Sequence, residues 1–431
     1  MTNARQIEKN KTKKNDVEAY SVIVVGAGMV GIAAAMRMQE YGHQVTLIDR
    51  AGPAGGTSFG NAGILASSSV IPVTTPGIMR KAPKMLFDPL QPLFLRWRYL
   101  PKLMPWLIPY LRHANMADTQ RIAEALNPII GQSLQDHQAL AAGTQAERWI
   151  RPCDYTYIFK DRSGFEADKA MWDIRKALGH EWIEYENEAF TAYDPFMADS
   201  HRFAVAMQNH GMILSPGDYI ADLVKVFEER GGRMITADVD AISHENGHVT
   251  GIRAGGEALP ADRVILAMGA WSGTLAKQLG ISIPLEAERG YHIELWHPNA
   301  KPKTPLMVVA GKFVVSPMKD RIRLAGIVEF GGLKAAASEA PFRLLMHNVR
   351  QYMPDLTWAE ETRWMGHRPA PTDSIPVIGE VPEIKGVFMG FGHHHVGLTG
   401  GAKTGQILAM LASDIHPNMD LSAYDMRRFL N

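Results

Sequence analysis

From Ser21 onward, short β-rich apolar runs alternate with stretches of helix formers. Ser21–Val25 is apolar, Gly31–Tyr41 carries helix formers, Gly42 stands where a helix-ending glycine belongs, and Gln44–Ile48 is apolar again. The order predicts strand, turn, helix and strand. Helix then strand return over residues 216–242, with Pro216 early in the helix and Gly231-Gly232 closing it. Asn246-Gly247, between Ala241–Ser243 and Val249–Arg253, predicts a two-residue hairpin, and Arg263–Ala267 a further strand. From about Pro284 to Phe330 the pattern becomes antiparallel, with Tyr291–Leu295, Phe313–Ser316 and Arg321–Val328 as short strands between polar breaks. Residues 386–413 revert to strand, glycine-rich loop and a last helix over Ala402–Leu411.

At 431 residues the chain exceeds the roughly 250–300 at which one core stops growing, so two domains are expected. The strand–helix pieces are separated by two insertions, which predicts interleaved domains. One comprises 18–72, 205–284 and 361–431; the other, an α+β unit with an antiparallel sheet, comprises 73–204 and 285–360. Lys+Arg and Asp+Glu both number 45, so no global charge draws nucleic acid or anionic lipid, and no nucleic-acid partner is expected. The single cysteine, Cys153, excludes a disulfide framework. Lys9, Lys11, Lys13 and Lys14 before the apolar run Ser21–Met36 imitate a signal peptide, yet Gly26, Gly28 and Gly31 interrupt that run. Residues 1–17 are therefore expected to be a disordered basic tail. With no run of about 18 apolar residues, a cytoplasmic protein is expected.

The chemistry begins at Gly26-x-Gly28-x-x-Gly31, after a strand and at the start of a helix. Gly26 permits a tight turn, Gly28 admits a pyrophosphate to the backbone, and Gly31 lets helix and strand pack closely. Phosphates then meet free amides at the helix N-terminus. Asp49 ends the second strand where a carboxylate would accept ribose hydroxyls. This is a Rossmann-like dinucleotide site, with Met29, Val30, Arg50 and Val239 among its expected contacts.

Three later segments resemble the FAD-dependent D-amino-acid dehydrogenase and glycine oxidase family. Gly55-Gly56-Thr57-Ser58-Phe59-Gly60-Asn61-Ala62-Gly63 looks like its second flavin motif, where small residues and hydroxyls run beside the cofactor. Arg263–Ala267 followed by Gly269 and Trp271 resembles the strand and small-residue turn that close its flavin domain. Arg368-Pro369, Pro371-Thr372-Asp373, Gly392-His393 and Gly397-Leu398-Thr399-Gly400 are similar to its C-terminal signature. The resemblance spans about residues 20–420 and implies FAD. Because Cys153 does not fall where a related family links its flavin, the FAD is expected to be noncovalent. The N-terminus of the last helix would place positive dipole near the reduced ring.

The resemblance further implies a Cα–N oxidation by hydride transfer to flavin N5, yielding an imino acid that water converts to a 2-oxo acid. A D-amino acid or cyclic imino acid is the leading expected substrate, with N-methyl amino acids, opines or a flavin-binding subunit role as alternatives. Arg368 matches a carboxylate-clamping arginine of glycine oxidase. His395 stands where that family has a second arginine. Arg289 and Tyr291, in a basic-Gly-Tyr step like that of the dehydrogenases, are expected beside the substrate. The scattered histidines have no metal spacing, so no metal is expected. Residues 71–113 hold seven Lys or Arg against Asp88 alone, interleaved with Trp97, Tyr99, Trp106 and Tyr110. Two readings stand: a face resting on the inner surface of the cell membrane, with electrons passing to quinone rather than O2, or a helical subdomain over the active site.

Overall fold

The computed structural model describes residues 19–430 apart from 81–85, 87, 89, 198 and 199. The expected N-terminal tail, and Lys81 and Lys84 of the basic segment, lie outside the described residues.

Ser21–Val25 forms the middle of a six-stranded sheet in the order Arg233–Thr236, Gln44–Asp49, Ser21–Val25, Arg263–Leu266, Val387–Phe391, Val377–Glu380. The first five strands run parallel and the last antiparallel. Val22 to Val25 are all buried, as a parallel sheet covered on both faces requires. Two helices, Met29–Glu40 and Gly401–Ala412, pack closely together against it. A Cβ added at Gly405 would lie 2.5 Å from the Cβ of Ala33, so small residues let the two helix backbones approach. The hairpin joins Val239–Glu245 to His248–Ala254, with both turn residues at positive φ, 49° at Asn246 and 77° at Gly247.

The second sheet has nine strands. Next to one edge Leu285–Trp296 pairs antiparallel with the edge strand Glu360–Pro371 on one side and Arg321–Phe330 on the other. The helix Glu339–Tyr352 packs its buried Phe342, Leu345 and Val349 against these strands. Residues 205–207 and 361–371, assigned from the sequence to the cofactor domain, are strands of this larger sheet. Nothing local in either segment says which sheet it joins; long-range pairing decides.

Within 71–113, the helix Leu100–Arg112 turns Leu103, Trp106 and Tyr110 inward. Trp106 Nε1 donates to the Ala370 carbonyl at 2.8 Å, docking the helix on the Glu360–Pro371 strand. Its other side leaves Met104 and Ile108 exposed, with Trp97 nearby in sequence. Among the described residues no helix is long and apolar enough to cross a membrane.

Candidate active site

A cavity of about 820 Å3 runs between the two sheets, walled at one end by the glycine loop and at the other by Glu288, Arg368 and His393–His395. At the first end, Gly26 sits at φ +107°, and a Cβ there would come within 2.4 Å of the Ala267 carbonyl oxygen. At Gly31 a Cβ would fall 1.8 Å from the Gly26 carbonyl oxygen. Both neighbours are backbone, which cannot swing aside, so the loop closes only around glycine. The helix Met29–Glu40 starts without a side-chain cap from Gly28, although Met29 N donates to Ser58 Oγ at 3.1 Å. Asp49 accepts from Ala27 N at 2.9 Å and Ala51 N at 2.8 Å, one bond per oxygen. A carboxylate has about four acceptor positions, so capacity for ribose hydroxyls remains.

The second motif is tied across the cavity, with Thr57 Oγ1 donating to the His367 carbonyl at 2.6 Å. Arg50 lies over the Trp271 ring, 4.0 Å from its centroid. Gly56, Asn61, Ala62, Val30, Val239, Ala267, Gly269, Gly397, Leu398 and Thr399 also reach the cavity wall. Gly63, Gly392 and Gly400 stand behind it, packed on Ile213, Pro371 and Ile129. Gly31 likewise braces the loop from within. A glycine-only cradle, a helix start without a side-chain cap from Gly28 and an acid at the second strand's end together fit a dinucleotide.

At the other end, Glu288 and Arg368 face each other in register across neighbouring strands. A Cβ at Gly290 would lie 2.5 Å from the guanidinium carbon of Arg368, so the missing side chain makes room for that group. Arg368 Nη1 meets the Ile327 carbonyl at 3.4 Å. Burial lowers its pKa, partly countered by Glu288. Glu288 is itself buried, its carboxyl pushed up to about 7 by burial and pulled down by Arg368. His394 Nε2 lies 3.4 Å from Glu288 Oε1, and His394 Nδ1 is 3.1 Å from His395 Nδ1. His395 opens onto the cavity, whereas His393 turns back to Thr404 Oγ1 at 2.8 Å. Burial pushes His394 down to about 3 and His393 to about 4, whereas the His395 side chain is exposed to the cavity.

Arg289 lies off the cavity wall, and Tyr291 reaches it while bonding elsewhere. Strand alternation sends residues 288 and 290 to the Arg368 side and residue 289 to the opposite face. There Arg289, fully buried, ion-pairs with Glu329 and donates to the carbonyls of Ala335 at 2.8 Å and Ala336 at 2.6 Å. Tyr291 touches the cavity but donates its hydroxyl to Glu329 Oε2 at 2.6 Å and accepts from Ser338 N at 3.0 Å. Both serve a buried polar network. Among the wall residues that escaped the sequence reading are Glu288, His394 and Trp364. The Trp364 ring fits because Gly60 and Gly366 lack side chains, each hypothetical Cβ lying 1.9 Å from it, and His292 stacks on it at 5.1 Å. The available signal was the density of ionisable residues within one strand, Glu286, Glu288, Arg289, His292 and Glu294.

A family model described as FAD dependent oxidoreductase matches residues 21–411. The chain belongs to the FAD dependent oxidoreductase family. A D-amino-acid oxidase of Bradyrhizobium diazoefficiens is 34% identical over 420 residues, covering 96% of this chain and 100% of that protein. A D-amino acid dehydrogenase of Rhizobium rhizogenes is 28% identical over 425 residues, 95% of this chain and 99% of its own. The crystal structure of glycine oxidase from Geobacillus kaustophilus shares the fold, with a TM-score of 0.72 at 18% identity over 95% of this chain and 98% of that one. Within an FAD dependent oxidoreductase, the glycine-loop end of the cavity is the part whose shape fits a dinucleotide. Among the described residues, no group of three or more His, Cys, Asp or Glu side chains is placed to hold a metal ion.

Proposed function

We propose that this FAD dependent oxidoreductase oxidises the Cα–N bond of an amino acid, most readily a D-amino acid or a cyclic imino acid. The observation that carries the reading is Arg368, whose guanidinium faces the cavity without an ion-pair partner among the described residues. A planar fork held in the cavity wall is suited to bidentate capture of an α-carboxylate. Bound FAD would supply the two-electron acceptor. Gly26, Gly28 and the amides of the Met29–Glu40 helix would hold its pyrophosphate, and Asp49 its ribose. Cys153 supports noncovalent binding, since it does not line the cavity and burial pushes its thiol up to about 11. Arg368 would orient the substrate through its carboxylate, and the Trp364–His292 stack would keep water from that side of the cavity. His395, open to the cavity, would act through a hydrogen bond to the substrate. The imino product would hydrolyse to a 2-oxo acid.

The exposed Trp97, Met104 and Ile108 beside Arg98, Lys102 and Arg112 support quinone at a membrane surface as the electron acceptor. A dye-reduction screen of the purified chain over D- and L-amino acids and D-proline tests the activity. Bleaching by none of them would refute it. Dye or quinone turnover far above peroxide formation, with pelleting on anionic vesicles at low salt, is expected; rapid peroxide formation without vesicle binding would assign O2 instead.

A further inference from the structure

Arg368 and Glu288 are opposite charges on one wall, in register across adjacent strands, and yet they form no ion pair. Among the described residues, the close polar neighbour of Glu288 is His394 Nε2 at 3.4 Å, which makes no hydrogen bond there and must close on the carboxylate for a proton to pass. His394 in turn meets His395 through their Nδ1 atoms, and the Nε2 of His395 is left for the cavity. Three proton-carrying groups thus stand in file from the cavity to a buried carboxylate, alongside the guanidinium proposed to hold the substrate carboxylate.

We propose that His395, His394 and Glu288 form a proton relay that takes one proton from the substrate ammonium, so that the zwitterionic amino acid is bound and turned into the free amine inside the site. The proposal rests on the amino-acid reading above. The relay starts with His395 carrying its proton on Nδ1, His394 on Nε2, and Glu288 ionised. The ammonium N–H bond breaks as an N–H bond forms at His395 Nε2. The Nδ1 proton of His395 passes to His394 Nδ1, and the Nε2 proton of His394 passes to Glu288 Oε1. One positive and one negative charge cancel, both imidazoles end as neutral tautomers, and no electrons move.

The environment suits that order. Burial disfavours the imidazolium form of His394, so it cannot store the proton and must release one as it accepts another, while His395, open to the cavity, is the entry point. Glu288 is the group able to keep it. Around Glu288 stand Arg368 and His394, with Tyr110 of the Leu100–Arg112 helix and Glu286 two residues away on its own strand. The Tyr110 ring stacks on His394 at 6.3 Å and fixes its plane. Among these only Arg368 is a fixed cation, and it favours the ionised carboxylate that the relay requires at the start.

The test is anaerobic rapid mixing of the FAD-loaded enzyme with D-alanine and with D-proline, following loss of flavin absorbance from pH 6.5 to 10. In the wild type, the second-order rate of bleaching should level off above about pH 7. Glu288→Gln should abolish the plateau, because the ammonium must then lose its proton to bulk water. The rate should climb about tenfold per pH unit, lie about a hundredfold below wild type near pH 7.5, and recover toward it near pH 10. His395→Gln, altered only at the cavity wall, should show the same slope. Benzoate, a carboxylate with no amine, should shift the flavin spectrum of both variants with a Kd within a few-fold of wild type. Variants that keep the wild-type plateau would overturn the relay, as would loss of benzoate binding, which would make these residues part of the cavity's shape. A wild-type flavin that neither substrate bleaches, although another amino acid from the screen does, transfers the same pH series to that amino acid. Bleaching by none refutes the functional reading itself.

Discussion

At the glycine-loop end of the cavity the wall is mostly backbone: Gly26, Gly28 and the start of the Met29–Glu40 helix, with Asp49 bonded to two amides of neighbouring loops. At the Arg368 end it is ionisable side chains from three separate segments, Glu288, Arg368 and His393–His395. A backbone cradle recognises what every dinucleotide shares, and its geometry is set within about 30 consecutive residues. A side-chain wall can discriminate between substrates, but each charge in it carries a desolvation cost that neighbours must offset. The two ends should therefore fail differently, and that difference is measurable.

Acid should do the most damage, and it enters through histidines. His393 at the Arg368 end and His137, His201 and His210 elsewhere are buried and held at about 4 by that burial, below the 6.5 of an unfolded histidine. Below pH 6.5 the unfolded chain binds protons that the folded chain refuses. Stability is thus intact above that pH and falls progressively toward pH 4, by about 2 kcal/mol for each such histidine at pH 5. Thermal melts at pH 7.5 and pH 5 should differ by more than roughly 10 °C; equal melting temperatures would show these rings to be protonated in the fold or reached by water.

The next contrast sets two arginines of adjacent strands against each other. Arg368→Ala should lower kcat/KM by roughly 30- to 4,000-fold, the about 2–5 kcal/mol of a truncated buried charge contact, at unchanged flavin content. Arg289→Met should do the reverse: about 3–5 kcal/mol of stability lost, because Glu329 is left buried without its main partner, with turnover per bound flavin within a few-fold. Denaturant titration and flavin-normalised kinetics on both variants check the pair. An Arg289→Met enzyme that is stable but inactive would return that residue to the substrate site.

The smallest effect belongs to the backbone end. Asp49→Ala should weaken FAD binding by about 1–3 kcal/mol, since it removes a charged acceptor from a site that the glycine loop still shapes. Equilibrium binding of FAD to the apoprotein reads this directly, and unchanged affinity would leave Asp49 only its bonds to Ala27 and Ala51.

Much of the molecule was legible along the chain wherever the information is local. The glycine spacing, the acid ending the second strand, the Asn246-Gly247 turn and the closing helix each depend on a few consecutive residues, and each forms within a residue or two of its expected place. Arg368 was legible too, by resemblance, as a residue of the cavity. The placements that only the structure gives gather in one strand. Leu285–Trp296 is buried along ten of its twelve positions, so polar and apolar residues do not alternate in the way that reveals a solvent face. Its parity says that 288 and 290 share a side and that 289 lies opposite, but nothing in the strand itself says which side fronts the cavity. That was decided by the Glu339–Tyr352 helix and Glu329 claiming Arg289 and the hydroxyl of Tyr291. The meeting of Glu288 with His394, and the absence of an ion pair between Glu288 and Arg368, belong wholly to the tertiary structure. The sequence alone determined that a glycine loop shaped for a dinucleotide and an arginine on the cavity wall exist, because backbone turns and residue types are written locally. Which ionisable groups share the cavity wall depended on strand register and on packing between distant segments, where desolvation and charge are settled only after the chain has closed.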